Sequence, residues 1–185
     1  MFWRKSQNKP SEDQHENSAL SYHAIAITDT GCVRDHNEDA VRFVRPAENF
    51  ILKKMGCLAI VADGMGGHTS GEIASAIAID MISEAYYEKV RDPIKALENA
   101  SSKANNLIWQ TAGGDKKLKG MGTTCTAAAI IGDKLNILHI GDSRAYLYKK
   151  GELIQLSEDH TYVRELIKSG EITPDEARNF LLRPV

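Results

Sequence analysis

A single aspartate, Asp63, closes the apolar run "CLAIVA" and opens the glycine-rich stretch "DGMGGHTSGEIAS". An ionised carboxylate at the end of a buried strand loses its hydration and must recover hydrogen bonds, a counter-charge or a metal ion. Other acids stand in comparable places: Asp29, Asp35, Glu38 and Asp39 in "TDTGCVRDHNEDA", Asp142 in "HIGDSR" and Asp159 in "SEDH". Carboxylates at the ends of several strands of one sandwich can converge on one cleft. Such a set suits hard divalent cations, Mg²⁺ or Mn²⁺, which take carboxylate, carbonyl and water oxygens, whereas Zn²⁺ would want His and Cys at short spacing. Taken singly, each acid also reads as an ordinary turn or cap residue, Asp-Gly being a common turn dipeptide.

The elements that would position these acids are legible as changes of period. "YHAIAITDTG" alternates as a strand from Tyr22 to a turn at Gly31, and "VRFV" and "CLAIVA" follow as further strands. From Thr69 to Val90 the period becomes helical: Ile73, Ile77 and Met81 form an apolar stripe with Ala74, Ala78 and Ala85 beside it, and Thr69 and Glu72 have capping-box spacing. Asp92 and Pro93 start a second helix carrying Ile94, Leu97, Ala104, Leu107 and Ile108, closed by Gly113 and Gly114. The short link predicts an antiparallel helix pair. After the basic loop "DKKLKG", "GTTCTAAAII", "KLNILHI", "RAYLYK" and "ELIQL" read as an antiparallel meander. A short helix over Tyr162 to Ser169 ends at Gly170, and Thr173, Pro174 and Glu176 open another. Strands and helices in separate runs predict an α+β layered domain rather than a βαβ repeat.

Composition narrows the partners. Lys plus Arg number 23 against 25 Asp plus Glu, so no basic excess points to nucleic acid or an anionic membrane. No apolar run reaches the length of a membrane helix and the N-terminus lacks a signal-peptide core, so the expectation is a cytoplasmic protein. Cys32, Cys57 and Cys125 are odd in number and widely spaced, and read as reduced thiols packed as small hydrophobes. Residues 1–20 are polar and mixed in charge and predict a disordered leader before a domain over 21–185. The sequence gives no expectation of oligomeric state.

The stretches "TDTGCVRDHNEDA", "VADGMGGHTSGEIAS", "GMGTTCTAAAI" and "HIGDSRAYLYKKGELIQLSEDHTYV" resemble, in order and spacing, the motifs of the metal-dependent type-2C (PPM) serine/threonine protein phosphatases in their bacterial form. The resemblance extends from Tyr22 to the C-terminus. It implies a layered α-β-β-α sandwich with antiparallel sheets and a site holding two Mg²⁺ or Mn²⁺ ions, with a third, more weakly held. By the same resemblance Asp63 bridges the two ions and the Gly64 carbonyl ligates one of them. Glu38 and Asp39 hold the water of coordination, Asp142 ligates the additional ion, and Arg34 grips the substrate phosphate. The implied reaction is hydrolysis of phosphoserine or phosphothreonine in proteins phosphorylated by kinases, by an acidified water attacking phosphorus in line. No phospho-enzyme is needed, so Cys32 and Cys57 are not nucleophiles.

Many eukaryotic members carry a His two residues after the bridging Asp; here that residue is Met65, which cannot donate a proton. His68 lies within reach of the site at the head of the helix, with a cap or packing role the stronger reading. His160 reads as structural, and Thr123 and Thr124 as residues bonding beneath the site. Family members also carry a second Asp-Gly and an Asp-Asn further along, and the chain ends at Val185 before either. The expectation is therefore an N-terminal part of the domain, lacking its C-terminal strands, with little or no turnover. The alternative is a non-catalytic module binding phosphate or a partner.

Overall fold

The computed structural model describes residues 22–32, 34–66, 69–89, 92–173 and 176. The expected leader over 1–20, His68 and the body of the helix after Thr173 lie outside the described residues. Five strands form an antiparallel sheet in the order β1 (Asp39–Val44), β2 (Cys57–Met65), β4 (Cys125–Ile131), β5 (Lys134–Ile140), with β3 (Gly122–Thr123) paired to the far end of β2. β6 (Tyr146–Lys149) and β7 (Glu152–Gln155) form a separate two-stranded sheet. The expected meander is therefore broken between β5 and β6. There Gly141, at φ 103°, turns the chain away and Ala145, just before β6, bonds instead to the residues after β7: Leu156 N donates to Ala145 O and Ala145 N to Ser157 Oγ.

Alternation along β2 decides which face is covered. Leu58, Ile60 and Ala62 are buried while Val61 and Asp63 on the other face are not. The covering layer is α2 (Thr69–Tyr87) and α3 (Pro93–Gly114), packed on each other with α2 over β1 and β2. Asp92 caps α3 as its sequence predicts, its carboxylate accepting from Ile94 N at 2.9 Å and Lys95 N at 3.2 Å.

The buried stripe of α2 lies one residue beyond the expected one. Ala74, Ala78, Ile79, Ile82 and Tyr86 are buried, whereas Ile73, Ile77 and Met81 are only half-buried. Small side chains at the centre of the stripe bring the helix backbone close to the sheet, and the larger ones flank the contact. That close approach also fixes the site described below.

Two further expectations are corrected. Residues 22–30 form no strand: Ile25 and Ile27 are 87% and 79% exposed, and alternation without a ladder partner does not make a strand. Cys57 and Cys125 are buried as expected, and burial pushes the Cys125 thiol up to about 12, but Cys32 is exposed on the turn at Gly31.

One helix escaped the sequence reading. α1 (Asn49–Met55) interrupts the link between β1 and β2 and ends at Gly56, whose φ of 70° suits glycine. Tyr86 anchors it, donating to the Met55 carbonyl at 2.6 Å from a fully buried ring. Tyr86→Phe leaves that carbonyl unpaired in the core and is expected to cost about 1–3 kcal/mol, read by urea denaturation. The later elements follow expectation: α4 (Tyr162–Lys168) is capped by Thr161 and followed by Gly170 at φ 78°. Thr173 and Glu176 make the reciprocal capping box, with Thr173 N donating to Glu176 Oε2 at 2.8 Å and Glu176 N to Thr173 Oγ1 at 3.2 Å.

Candidate metal and phosphate site

The antiparallel register of β1 and β2 sets Asp39 directly opposite Asp63. Directly opposed side chains share one face, with Cβ atoms about 4.5–5.5 Å apart, and two like charges there repel. Hydrogen bonds fix the backbone of both residues. Asp63 N donates to Thr124 Oγ1 at 3.0 Å, and Asp63 O accepts from Thr124 N at 2.9 Å and from Thr123 Oγ1 at 3.0 Å. Thr123 and Thr124 thus bond beneath the site, as their place in the sequence suggests. Asp39 N donates to Asn37 Oδ1 at 3.0 Å, and Asn37 Nδ2 in turn donates to Thr28 Oγ1 at 2.7 Å.

Asp142 is brought to the same neighbourhood by the turn after β5. Gly141 packs on Thr124, where a Cβ would come within 2.6 Å of the threonine methyl, and Ser143 Oγ lies 2.7 Å from Thr124 Oγ1. His160 holds the turn from the other side, its backbone N–H donating to Gly141 O at 2.7 Å, a structural role as expected. Burial first, then the charges of Asp39 and Asp142, push the Asp63 carboxyl above its usual range, with Arg34 opposing. Asp159, by contrast, is taken up by a bidentate pair with Arg144 outside the cleft, which holds its carboxyl below the usual range.

Arg34, Asn37, Glu38, Asp39 and Asp63 line a cleft of about 270 Å³, together with Asp29. Asp29 is at the same time the turn residue its sequence allows, accepting from Gly31 N at 2.7 Å. Arg34 is two-thirds exposed and reaches Glu38 Oε2 at 3.3 Å, while the Glu38 side chain is 11% exposed. The other Glu38 oxygen, Oε1, is buried without a hydrogen-bond partner among the described residues. Such an orphaned acceptor beside two opposed carboxylates fits a cation and its water shell. Among the described residues no three His, Cys, Asp or Glu side chains gather tightly enough to hold an ion unaided. That donor set fits Mg²⁺ or Mn²⁺, which keep several waters, and not Zn²⁺.

Two residues of the site were not singled out in the sequence. Ser75 Oγ donates to the Glu38 carbonyl at 2.6 Å, and Gly64 N donates to the same carbonyl at 3.1 Å, so α2 and β2 together pin the residue before Asp39. Gly71 lies against Gly64: a Cβ on Gly64 would fall 2.1 Å from Gly71 O. The signal was present as small residues four apart, Gly71 and Ser75, which share one helix face.

Residues 33–179 match the protein phosphatase 2C family. A serine/threonine phosphatase, stp, of Listeria welshimeri serovar 6b is 38% identical over 162 residues, covering 85% of this chain and 62% of that protein. The serine/threonine protein phosphatase PstP of Mycobacterium tuberculosis is 38% identical over 155 residues, covering 83% of this chain and 28% of PstP. The chain thus spans less than two thirds of the length of these relatives. Among solved structures, the M. tuberculosis phosphatase PstP/Ppp superposes with a TM-score of 0.67 at 38% identity, over 82% of this chain and 60% of that one. The PstP catalytic domain in complex with two manganese ions gives 0.65 at 39% identity, over 80% and 60%. A match over most of the sequence, joined to a shared fold, means that the chain belongs to the protein phosphatase 2C family.

Proposed function

We propose that the protein acts in the cytoplasm on phosphorylated proteins, hydrolysing phosphoserine and phosphothreonine with two divalent cations, Mg²⁺ or Mn²⁺, in the cleft at Asp39 and Asp63. The observation that carries this reading is the pairing of Asp39 with Asp63 across the ladder. Two opposed carboxylates cost stability in a folded chain and become favourable when a cation sits between them. In this reading Asp63, the Gly64 carbonyl, Glu38 and Asp39 would hold the ions and their waters, Asp142 would serve a further, weaker ion, and Arg34 would take the phosphate.

When bound, the cations supply an acidified water for in-line attack and neutralise charge on the phosphoryl oxygens. The rest belongs to the chain. Arg34 offers a planar fork of N–H donors to the phosphate from an exposed position, steered by its contact with the buried Glu38 carboxylate. Thr123 and Thr124 fix the Asp63 backbone, so that its carboxylate meets the ions without reorganising.

Two measurements on the chain test the reading. Binding of Mn²⁺, followed by loss of the free-ion electron paramagnetic resonance signal, is expected to weaken at least about tenfold in Asp63→Asn, as when one carboxylate ligand is removed. Equal affinity in the two proteins would falsify the metal site. Phosphate release from a phosphothreonine peptide is expected to need both Mn²⁺ and Asp63. A chain that binds Mn²⁺ and the peptide without releasing phosphate would instead be a non-catalytic binding module.

A further inference from the structure

Beside the cleft, the strand that carries Asp63 runs on into an apolar groove that the phosphate chemistry does not use. Met65, Ile108, Trp109, Met121 and Thr123 line a hollow of about 250 Å³ where the end of β2 meets β3 and α3. Trp109 is 80% exposed and Met65 62%, large apolar surfaces for water to cover. The groove and the site share a wall. Thr123 faces the groove while its Oγ1 donates to the Asp63 carbonyl at 3.0 Å, and the ladder pairs Gly64 with Thr123 and Met65 with Gly122. Met65 follows Asp63 by two residues along β2, so the two side chains leave the same strand face about 6.6 Å apart.

An extended peptide has the same repeat. With its phosphoresidue at the Asp63 cleft, the side chain two residues away falls at the Met65–Trp109 groove. Charge points to the same occupant. Lys116 and Lys117, in a short 3-10 turn, and Lys119 after it are exposed on the segment leading into the groove at Gly120, and among the described residues none of them is in a salt bridge. They suit an anionic ligand rather than a neutral one.

We propose that the Met65–Trp109 groove is a specificity subsite that takes an apolar side chain of the phosphopeptide near its phosphoresidue, with Trp109 as the anchor. The inference rests on the phosphatase reading of the neighbouring cleft and adds to it a substrate class: phosphopeptides with an apolar flank. Tryptophan suits the task, since a rigid aromatic buries much area at small conformational cost.

The test uses peptides carrying a phosphonate in place of the phosphate ester, so that binding is read without cleavage. Leu or Ser is placed in turn at each of the two positions on either side of the phosphoresidue. Trp3→Phe leaves Trp109 as the sole tryptophan of a chain that has two. With Mn²⁺ present, a Leu flank is expected to tighten binding about tenfold at one position and shift Trp109 emission to the blue. Trp109→Ala is expected to erase the preference while Ser-flanked peptides bind as before, and Trp109→Phe to restore most of it. A preference at no position, or one that survives Trp109→Ala, overturns the subsite. Emission that shifts to the blue with protein concentration alone overturns it in favour of a second copy of the chain. The spin-resonance measurement separates the two claims. Absent Mn²⁺ binding removes the phosphatase reading and the subsite with it, whereas Mn²⁺ bound with no flank preference removes the subsite alone.

Discussion

Gly64→Ala is expected to destabilise the fold by about 3 kcal/mol, the upper part of the range for overpacking, and to lower Tm by about 6–12 °C in a chain of this size. The added Cβ would lie 2.1 Å from Gly71 O, 2.4 Å from Gly71 C and 2.7 Å from Glu38 O. All three are backbone atoms, so no side-chain rotation relieves the clash. The N-terminal turn of α2 must instead lift from β2, which breaks the contacts of Gly64 N and Ser75 Oγ with the Glu38 carbonyl. Resemblance to the family gives this glycine a different purpose, the approach of its carbonyl to an ion. Thermal melts with EDTA and with Mn²⁺ separate the two. A glycine needed only for the ion leaves the EDTA melt unchanged in the variant, whereas the packing seen here lowers both melts. Gly71→Ala is the milder counterpart, because its Cβ meets the Glu38 carboxyl end at 2.9 Å, which can swing away, as well as Gly64 C at 2.9 Å.

That glycine pair shows what the sequence does and does not express. The strand at "CLAIVA", the N-cap at Asp92 and the capping box at Thr173 are local rules, each read from a few neighbouring residues, and each stands in the structure as expected. The placement of Asp63 near a strand end was legible in the same way, although β2 runs two residues further, to Met65. What could not be read locally was contact: that Asp39 is the register partner of Asp63, that Gly71 touches Gly64, and that the α2 stripe turns toward its small residues. These depend on how closely two elements approach, which period alone does not encode. The strand expected over 22–30 failed for the same reason. Ile25 and Ile27 alternate correctly, but a strand also requires a partner. Asp159 illustrates the converse. It sits at a loop near the other acids in sequence pattern, yet Arg144 claims it, and only the structure separates a structural ion pair from the cleft.

Asp39→Asn is expected to stabilise the metal-free chain and to weaken Mn²⁺ binding at the same time. Opposed like charges on an antiparallel pair are destabilising, on the scale of the roughly 0.2–1 kcal/mol that an opposite-charge pair contributes there, and the amide removes one of them while keeping the shape. The sign with pH follows from Asp63. Burial, then the charges of Asp39 and Asp142, raise its carboxyl in the folded chain above the unfolded value. Ionised Asp63 therefore destabilises the fold. That cost is fully present above the folded pKa and relieved as pH falls toward the unfolded pKa. Since the charge of Asp39 is part of the cause, the variant's advantage in Tm is greatest near neutral pH with EDTA and shrinks as the acids protonate. With saturating Mn²⁺ the order reverses: the parent chain gains stability from the bound ion in proportion to RT ln(1 + [Mn²⁺]/Kd), and the variant, binding weakly, gains less. Melts at neutral and acid pH, with EDTA and with Mn²⁺, read all four conditions. An Asn variant less stable than the parent in EDTA at neutral pH would show that Asp39 is held by favourable contacts rather than opposed to Asp63. A variant that keeps full Mn²⁺ stabilisation would remove it from the metal site. Both expected signs follow from one geometric fact, two carboxylates paired across the same ladder. That is an arrangement a chain tolerates at a binding site, where the ligand supplies the missing charge.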